Sequence, residues 1–406
     1  MKTIDGYLNA PKGFKTAGAH IGIKKAKKDL CLIASDVYAE AAGCFTTNIV
    51  KAAPVLWDID IINSGKKVKG VLVNSGNANA CTGMRGIEDN KEMAALFAEA
   101  ISAEAEEILV CSTGVIGVNL PMDIVRAGLK NTAPSLGCAP ESGFAAAEAI
   151  MTTDTFMKTS AVTVEISGKT VTLAGMAKGS GMIHPDMATL LAFVTTDCAI
   201  SKAMLQRALS DCADKTFNMI SVDGDMSTND TLLALANGMA GNDPIENESG
   251  DYSIFKDALH HICRGFAKDI ARDGEGATKL LEVNIAGARS DSDAAMIAKS
   301  VVSSNLFKAA LFGEDANWGR LMCAMGYSGG KFDQFNVNVE FRSAAGVIRF
   351  MERGEPIAFS EDLAKKVLAE KEIFTDVEFF EGSGGATAWG CDLTYDYVKI
   401  NGDYRS

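Results

Sequence analysis

Two hydrophobic periods alternate along this chain. Val162, Val164 and Ile166 are spaced by polar residues, Ser167-Gly168 breaks the run, and Val171 and Leu173 resume it. That alternation predicts a β-hairpin closed by a Gly turn. The apolar run 70–74 predicts a strand that feeds a polar loop over 75–80, and Ile108-Leu109-Val110 predicts a second buried strand running into Cys111-Ser112-Thr113-Gly114. Residues 190–195 predict another. From Glu88 the period becomes helical, with Met93, Leu96, Phe97, Ala100 and Ile101 on one face. Leu205, Ala208, Leu209 and Cys212 repeat that spacing after the N-cap candidate Ser201, and Phe255, Leu259, Ile262, Phe266 and Ile270 repeat it again. Beyond about residue 280 the pattern predicts a strand over 280–285, a helix from near Ser292, an alternating strand at Val337, Val339 and Phe341, a helix over 361–371 and a strand over 374–380. Strands and helices alternate throughout, so the class is mixed α/β or α+β. The expected division is a main domain over 1–280 and a smaller α/β domain over 281–406.

Composition narrows the function classes. The 406 residues carry a net charge of −13, which argues against nucleic acid as a partner. The ten cysteines form no C-x-x-C pair, and the four histidines (His20, His184, His260, His261) have no ligand spacing with them, so neither a zinc site nor a disulfide framework is expected. No leader-like apolar run opens the chain and no stretch reaches the ~18 apolar residues of a membrane helix, so the expectation is a soluble cytoplasmic protein with no membrane partner. Gly382-Ser383-Gly384-Gly385 lacks the Lys-Ser/Thr pair of a phosphate loop and reads as a turn. Asp223, Asp225 and Asp230 miss the Ca²⁺-loop spacing and read as hydrogen-bonding loop acids.

The densest chemistry lies at 178–195. Gly179 and Gly181 permit close backbone approach, Pro185 biases His184 toward extended geometry, and Ala188-Thr189 sets a hydroxyl at the mouth of an apolar run. Such a turn is either plain punctuation before a strand, or a place where the hydroxyl attacks the preceding carbonyl and cleaves the chain. The freed threonine would then carry its own α-amine as general base, with a reference pKa near ~7.7 that suits proton transfer at neutral pH.

Lys178-Gly179-Ser180-Gly181-Met182-Ile183-His184-Pro185-Asp186-Met187-Ala188-Thr189-Leu190-Leu191 resembles the self-cleaving segment of the ornithine acetyltransferase family of arginine biosynthesis. Other blocks match in family order. They include Asn74-Ser75-Gly76-Asn77-Ala78-Asn79-Ala80, Ser112-Thr113-Gly114-Val115-Ile116-Gly117, Met151-Thr152-Thr153-Asp154-Thr155, Arg272-Asp273-Gly274-Glu275-Gly276-Ala277-Thr278-Lys279 and the tail Ile400-Asn401-Gly402-Asp403-Tyr404. His184, Asp186 and Met226 depart from what the family usually carries, and Asp186 adds a charge three residues from the scissile bond.

The resemblance implies a layered α-β-β-α sandwich of the N-terminal-nucleophile type with a smaller C-terminal α/β domain. It implies cleavage between Ala188 and Thr189 into chains 1–188 and 189–406, which stay associated as two of each. Thr189 matches the nucleophile, and Thr113 with Gly114 the oxyanion hole. Thr152, Lys178, Thr189, Glu275, Asn401 and Ser406 match substrate-binding positions. The implied reaction carries acetyl from N2-acetylornithine to glutamate through an acetyl-threonyl ester, without metal or bound cofactor. Acetyl-CoA as a second donor is compatible with the same motifs. Two readings stay open beside it: a self-processed aminopeptidase or amidase that hands the acyl group to water, and an uncleaved binding scaffold.

Overall fold

The computed structural model describes residues 1–184 and 190–403. Its strands are β1 (Lys2–Ile4), β2 (Phe14–Ala19), β3 (Leu30–Phe45), β4 (Val68–Asn77), β5 (Ile108–Val115), β6 (Lys158–Ile166), β7 (Lys169–Lys178), β8 (Leu191–Thr196), β9 (Ile220–Ser221), β10 (Thr231–Ala236), β11 (Leu280–Ala288), β12 (Val337–Ser343), β13 (Gly346–Glu352), β14 (Glu355–Pro356), β15 (Glu372–Phe379) and β16 (Gly384–Cys391). Its α-helices are α1 (Ala53–Ser64), α2 (Gly83–Ala100), α3 (Met122–Thr132), α4 (Pro140–Ile150), α5 (Lys202–Lys215), α6 (Gly250–Arg272), α7 (Asp291–Ser303), α8 (Asn305–Phe312), α9 (Trp318–Gly326), α10 (Glu361–Leu368) and α11 (Tyr395–Gly402). The class is mixed α/β. The described chain divides into two compact units, the first holding 1–179, 190–214 and 226–266, the second 180–184, 215–225 and 267–403.

The first unit is built on a sheet of order β1-β6-β7-β8-β10-β3-β4-β5, with β2 paired to β3. The 16-residue β3 serves both halves of this sheet. Its residues 30–34 pair with β2 and β4, and 40–45 pair with β10. The two halves face each other across one core: Ile33, Val71, Val73, Leu109 and Cys111 from one side meet Met176, Leu191, Phe193, Leu233 and Leu235 from the other. Strand alternation turns Leu32, Leu72 and Val110 the opposite way, onto Met93 and Phe97 of α2 and Val125 and Leu129 of α3. The second half is covered by α6, where Ile262 and Phe266 pack so tightly on Gly175 of β7 that an added Cβ would lie 2.8 Å from the Phe266 ring. The layers therefore run α-β-β-α, and each fully buried aliphatic side chain between them contributes about 1.5–3 kcal/mol.

The β6–β7 hairpin forms where the alternation predicted it. Ser167 (φ 49°) and Gly168 (φ 70°) both have positive φ, which a two-residue turn matched to strand twist requires. Ser201 caps α5, its Oγ accepting from the Met204 N–H at 3.4 Å. Several expectations need correction. Residues 75–77 are not loop: they extend β4 and pair with Thr113, Gly114 and Val115 of β5. Ala100 is exposed rather than on the buried face of α2, because that face drifts past it at the helix end. The helix expected over 361–371 stops at Leu368, with β15 starting at Glu372.

The second unit carries a sheet of order β14-β13-β12-β15-β11-β16-β9. Val337, Val339 and Phe341 of β12 are all buried, as their alternation required. Ser290 caps α7, accepting from the Asp293 N–H, and α7 packs on β11 and β16. Gly384 and Gly385 belong to β16 rather than to a turn. Among the described residues, no helix is long and apolar enough to cross a membrane.

Candidate active site

In the first unit the candidate residues lie at the ends of β5 and β7. Thr113 and Gly114 occupy the last turn of β5, where the chain runs parallel to Ser75 and Gly76 of β4. Thr113 is buried, and Gly114 has φ 134°, a conformation that side chains disfavour. A web of amides stiffens this strand end. Asn229 Nδ2 donates to Ala78 O at 2.6 Å and to Ser112 O at 2.8 Å. Ser112 Oγ donates to Asn74 Oδ1 at 2.6 Å, and Asn74 Nδ2 to Asn77 O at 2.8 Å. The polar run 74–80 thus serves as internal bracing, with backbone groups satisfied by side chains in place of water.

Ser75 Oγ donates to Ala149 O at 2.5 Å, tying the same strand end to the C-terminus of α4. Thr152 follows two residues after that helix. Lys178, at the end of β7, donates from Nζ to Thr152 Oγ1 at 3.4 Å. Beneath them lies a feature the sequence reading did not single out. Asp154 and Lys158 form a fully buried ion pair at 2.8 Å, and Asp154 also accepts from the N–H groups of Thr152 (3.0 Å) and Gly179 (2.7 Å). Burial by itself would raise the Asp154 carboxyl. The charges of Lys158 and Lys178 and these hydrogen bonds outweigh it, so its pKa lies below the ordinary value. One carboxylate therefore fixes both Thr152 and the backbone leaving Lys178. The i, i+4 spacing of an acid and a lysine around the Thr152 block was the available signal.

In the second unit Glu275 and Asn401 are brought into direct contact. Glu275 is buried, and its Oε2 accepts from Asn401 Nδ2 at 2.8 Å. Gly181 lies against this carboxylate, since an added Cβ would sit 2.3 Å from Glu275 Cδ. Ser180 is anchored to the same turn: its Oγ donates to Asp273 O at 2.5 Å and its carbonyl accepts from the Glu275 N–H at 2.9 Å. Asp223 holds the next two residues, accepting from the N–H groups of Met182 (2.6 Å) and Ile183 (2.8 Å) and from Tyr397 OH at 3.2 Å. Burial, then the Asp223 charge, pushes the Tyr397 phenol up, so it stays a neutral donor. Met182 has φ 57°, an uncommon conformation for a residue with a side chain. His184 Nδ1 lies 3.1 Å from Ser221 Oγ and 3.3 Å from Ser303 Oγ. Asp223 is thus a hydrogen-bonding loop acid, and no cluster of His, Cys, Asp or Glu suited to a metal ion occurs among the described residues. Ala188, Thr189 and Ser406 lie outside the described residues.

A strand-end glycine beside a buried threonine, with a lysine and a threonine held by a common carboxylate, is an arrangement suited to polarising an acyl group. The sequence model of the ArgJ family matches residues 15–406. The chain belongs to the ArgJ family. It is similar over its full length to the arginine biosynthesis bifunctional protein ArgJ of Caldanaerobacter subterraneus subsp. tengcongensis, with 53% identity and 100% of both chains covered. The protein so named from Symbiobacterium thermophilum is 54% identical, again over 100% of each. Among solved structures, the ArgJ protein of Bacillus halodurans aligns at 47% identity over 52% of this chain and 97% of that one, with TM-score 0.49. The ornithine acetyltransferase of Mycobacterium tuberculosis complexed with ornithine aligns at 38% identity over 47% and 98%, with TM-score 0.41. As an ArgJ-family member the chain is an acyltransferase of arginine biosynthesis, acting on small molecules.

Proposed function

We propose that the chain moves the acetyl group of N2-acetylornithine to glutamate through an acetyl ester on Thr189. The observation that carries this reading is the strand end at Thr113 and Gly114, in a chain of the ArgJ family. In the proposed sequence the chain first cleaves itself between Ala188 and Thr189, giving 1–188 and 189–406. Thr189 Oγ then attacks the acetyl carbonyl while the Thr189 α-amine takes the hydroxyl proton. The oxyanion is stabilised by the Thr113 hydroxyl and the Gly114 N–H. Collapse breaks the amide C–N bond, and the α-amine returns the proton to the departing nitrogen of ornithine. Glutamate's amine attacks the ester next, giving N-acetylglutamate and restoring the Thr189 hydroxyl. Splitting one amide transfer into two ester steps lowers each barrier.

Lys178 and Thr152 hold the substrate carboxylate end in this reading. Glu275, oriented by Asn401, accepts from the ornithine side-chain ammonium, and Ser406 adds a tail contact. The two chains remain associated, two of each, in the cytoplasm. Acetyl-CoA serves as a second donor in a bifunctional version of the same site, and no metal or bound cofactor is required.

Intact mass spectrometry tests this directly. The purified protein should show a fragment beginning at Thr189 that gains one acetyl group on mixing with N2-acetylornithine and loses it on adding glutamate. Thr189→Ala should show one full-length chain and no transfer. Loss of the acetyl group to water without glutamate would instead identify a hydrolase.

A further inference from the structure

We infer that Lys24 is a positioning residue for the acyl-transfer site, bracing the strand end at Gly76 and Gly114 against the Thr152 loop. This rests on the acyl-transfer reading of those residues. The segment preceding β3 is pinned by one fully buried carboxylate. Asp29 accepts from the N–H groups of Ile21 (2.6 Å), Gly22 (3.1 Å) and Lys24 (2.8 Å), which fixes the Lys24 backbone. The side chain then makes contacts on two sides. Its stem lies on Gly76, where an added Cβ would come within 2.9 Å of Lys24 Cγ. Its Nζ donates to Met151 O at 2.6 Å and to Lys28 O at 2.9 Å. Gly76 pairs with Gly114, and Met151 immediately precedes Thr152, so one side chain spans the oxyanion strand and the Lys178–Thr152 contact.

Both Nζ hydrogen bonds go to main-chain carbonyls and neither to a carboxylate. Taking an ammonium out of water for such partners costs stability, and a methionine would fill the same space without that cost. The ammonium is held here by those two carbonyls. Around it, Asp29 and Asp154 attract while Lys178 and Lys27 repel, and Lys28 is paired with Glu148 at 2.5 Å. Burial is the main influence on this ammonium and, with those two lysines, brings its pKa to about 8. Below that pH the brace is charged and engaged. Above it Lys24 is neutral and its grip on the Met151 carbonyl weakens.

The experiment compares wild type, Lys24→Met and Lys24→Arg. Lys24→Met should still appear as two chains on a denaturing gel, and should lose at least 10-fold in kcat/KM for N2-acetylornithine. Lys24→Arg, which keeps its charge at all accessible pH values, should recover part of that loss and lack the fall in kcat/KM expected of wild type above about pH 8. Equal losses in both variants with an unchanged alkaline limb, or full activity in Lys24→Met, overturn the proposal. Amide hydrogen exchange supplies an arm independent of turnover: residues 152–154 should exchange at least 10-fold faster in Lys24→Met, and unchanged exchange also overturns it. Should Lys24→Met not fold, the Lys24→Arg pH profile decides. A wild type that transfers no acetyl group defeats the acyl-transfer reading instead, and the exchange measurement still decides the brace.

Discussion

Gly114 lies against Gly76 with no space for a side chain: a Cβ on Gly114 would fall 2.3 Å from the Gly76 carbonyl carbon. The two glycines bring neighbouring backbones closer than any other residue type allows, at a Gly114 φ of 134°. Gly114→Ala therefore meets two penalties, about 1–3 kcal/mol from the backbone conformation alone and more from the clash. We expect a lower melting temperature and at least a 10²-fold loss of acetyl transfer. A variant that melts and turns over like wild type would refute the close approach.

Thr113→Ala separates the hydroxyl from the backbone. Removing one oxyanion donor costs on the order of 10²–10³ in kcat, and the amide web around Asn74 and Asn229 should keep the strand end folded. Rates measured alongside circular dichroism check this, and a rate within 3-fold of wild type would take Thr113 out of the site.

Asp154 gives a pH dependence of stability. Its folded pKa lies below the ordinary value, so the stabilisation it contributes is present above the unfolded carboxyl pKa of ~3.9 and is lost as pH falls through the folded pKa. Asp154→Asn should be destabilised by about 3–5 kcal/mol at pH 7, because Lys158 is left buried without its counter-charge. Its loss of stability on acidification should be shallower than that of wild type. Urea unfolding at pH 7 and in the acid range measures both, and a difference under ~1 kcal/mol at pH 7 would show that the pair is dispensable.

Asp223→Ala removes the acceptor for the Met182 and Ile183 N–H groups and for Tyr397. Self-cleavage at 188–189 should slow by at least 10-fold, with Asp223→Asn intermediate. A time course of the two fragments on a gel reads this out. Wild-type kinetics in Asp223→Ala would mean that the 182–183 backbone need not be held for the bond to break.

Much of this could be read from residues alone, for stated physical reasons. The hairpin at Ser167-Gly168 and the cap at Ser201 are local: a positive-φ turn or a hydroxyl before a helix carries its signal within a few positions. Sequence alone ends strand β4 early, because Ser75, Gly76 and Asn77 look like loop. Their strand character comes from pairing with β5, almost forty residues away. Nor does any local pattern reveal that 180–184 and 215–225 join the unit formed mainly by 267–403, since that assembly depends on contacts such as Ser180 Oγ to Asp273 O at 2.5 Å and Tyr397 OH to Asp223 at 3.2 Å. The role of Asp154 within its block is hidden in sequence for a related reason. Its importance lies in what converges on it, the N–H groups of Thr152 and Gly179 and the ammonium of Lys158, and not in its own type.

The anchoring on either side of 185–189 bears on what a nick there would do to the molecule. Upstream, Met182 and Ile183 are clasped by Asp223. Downstream, Leu191 is zipped between Lys178 of β7 and Thr231 of β10. The clasp on Met182 and Ile183 and the pairings of Leu191 involve no hydrogen bond to residues 185–189. Scission between 188 and 189 would break none of these hydrogen bonds.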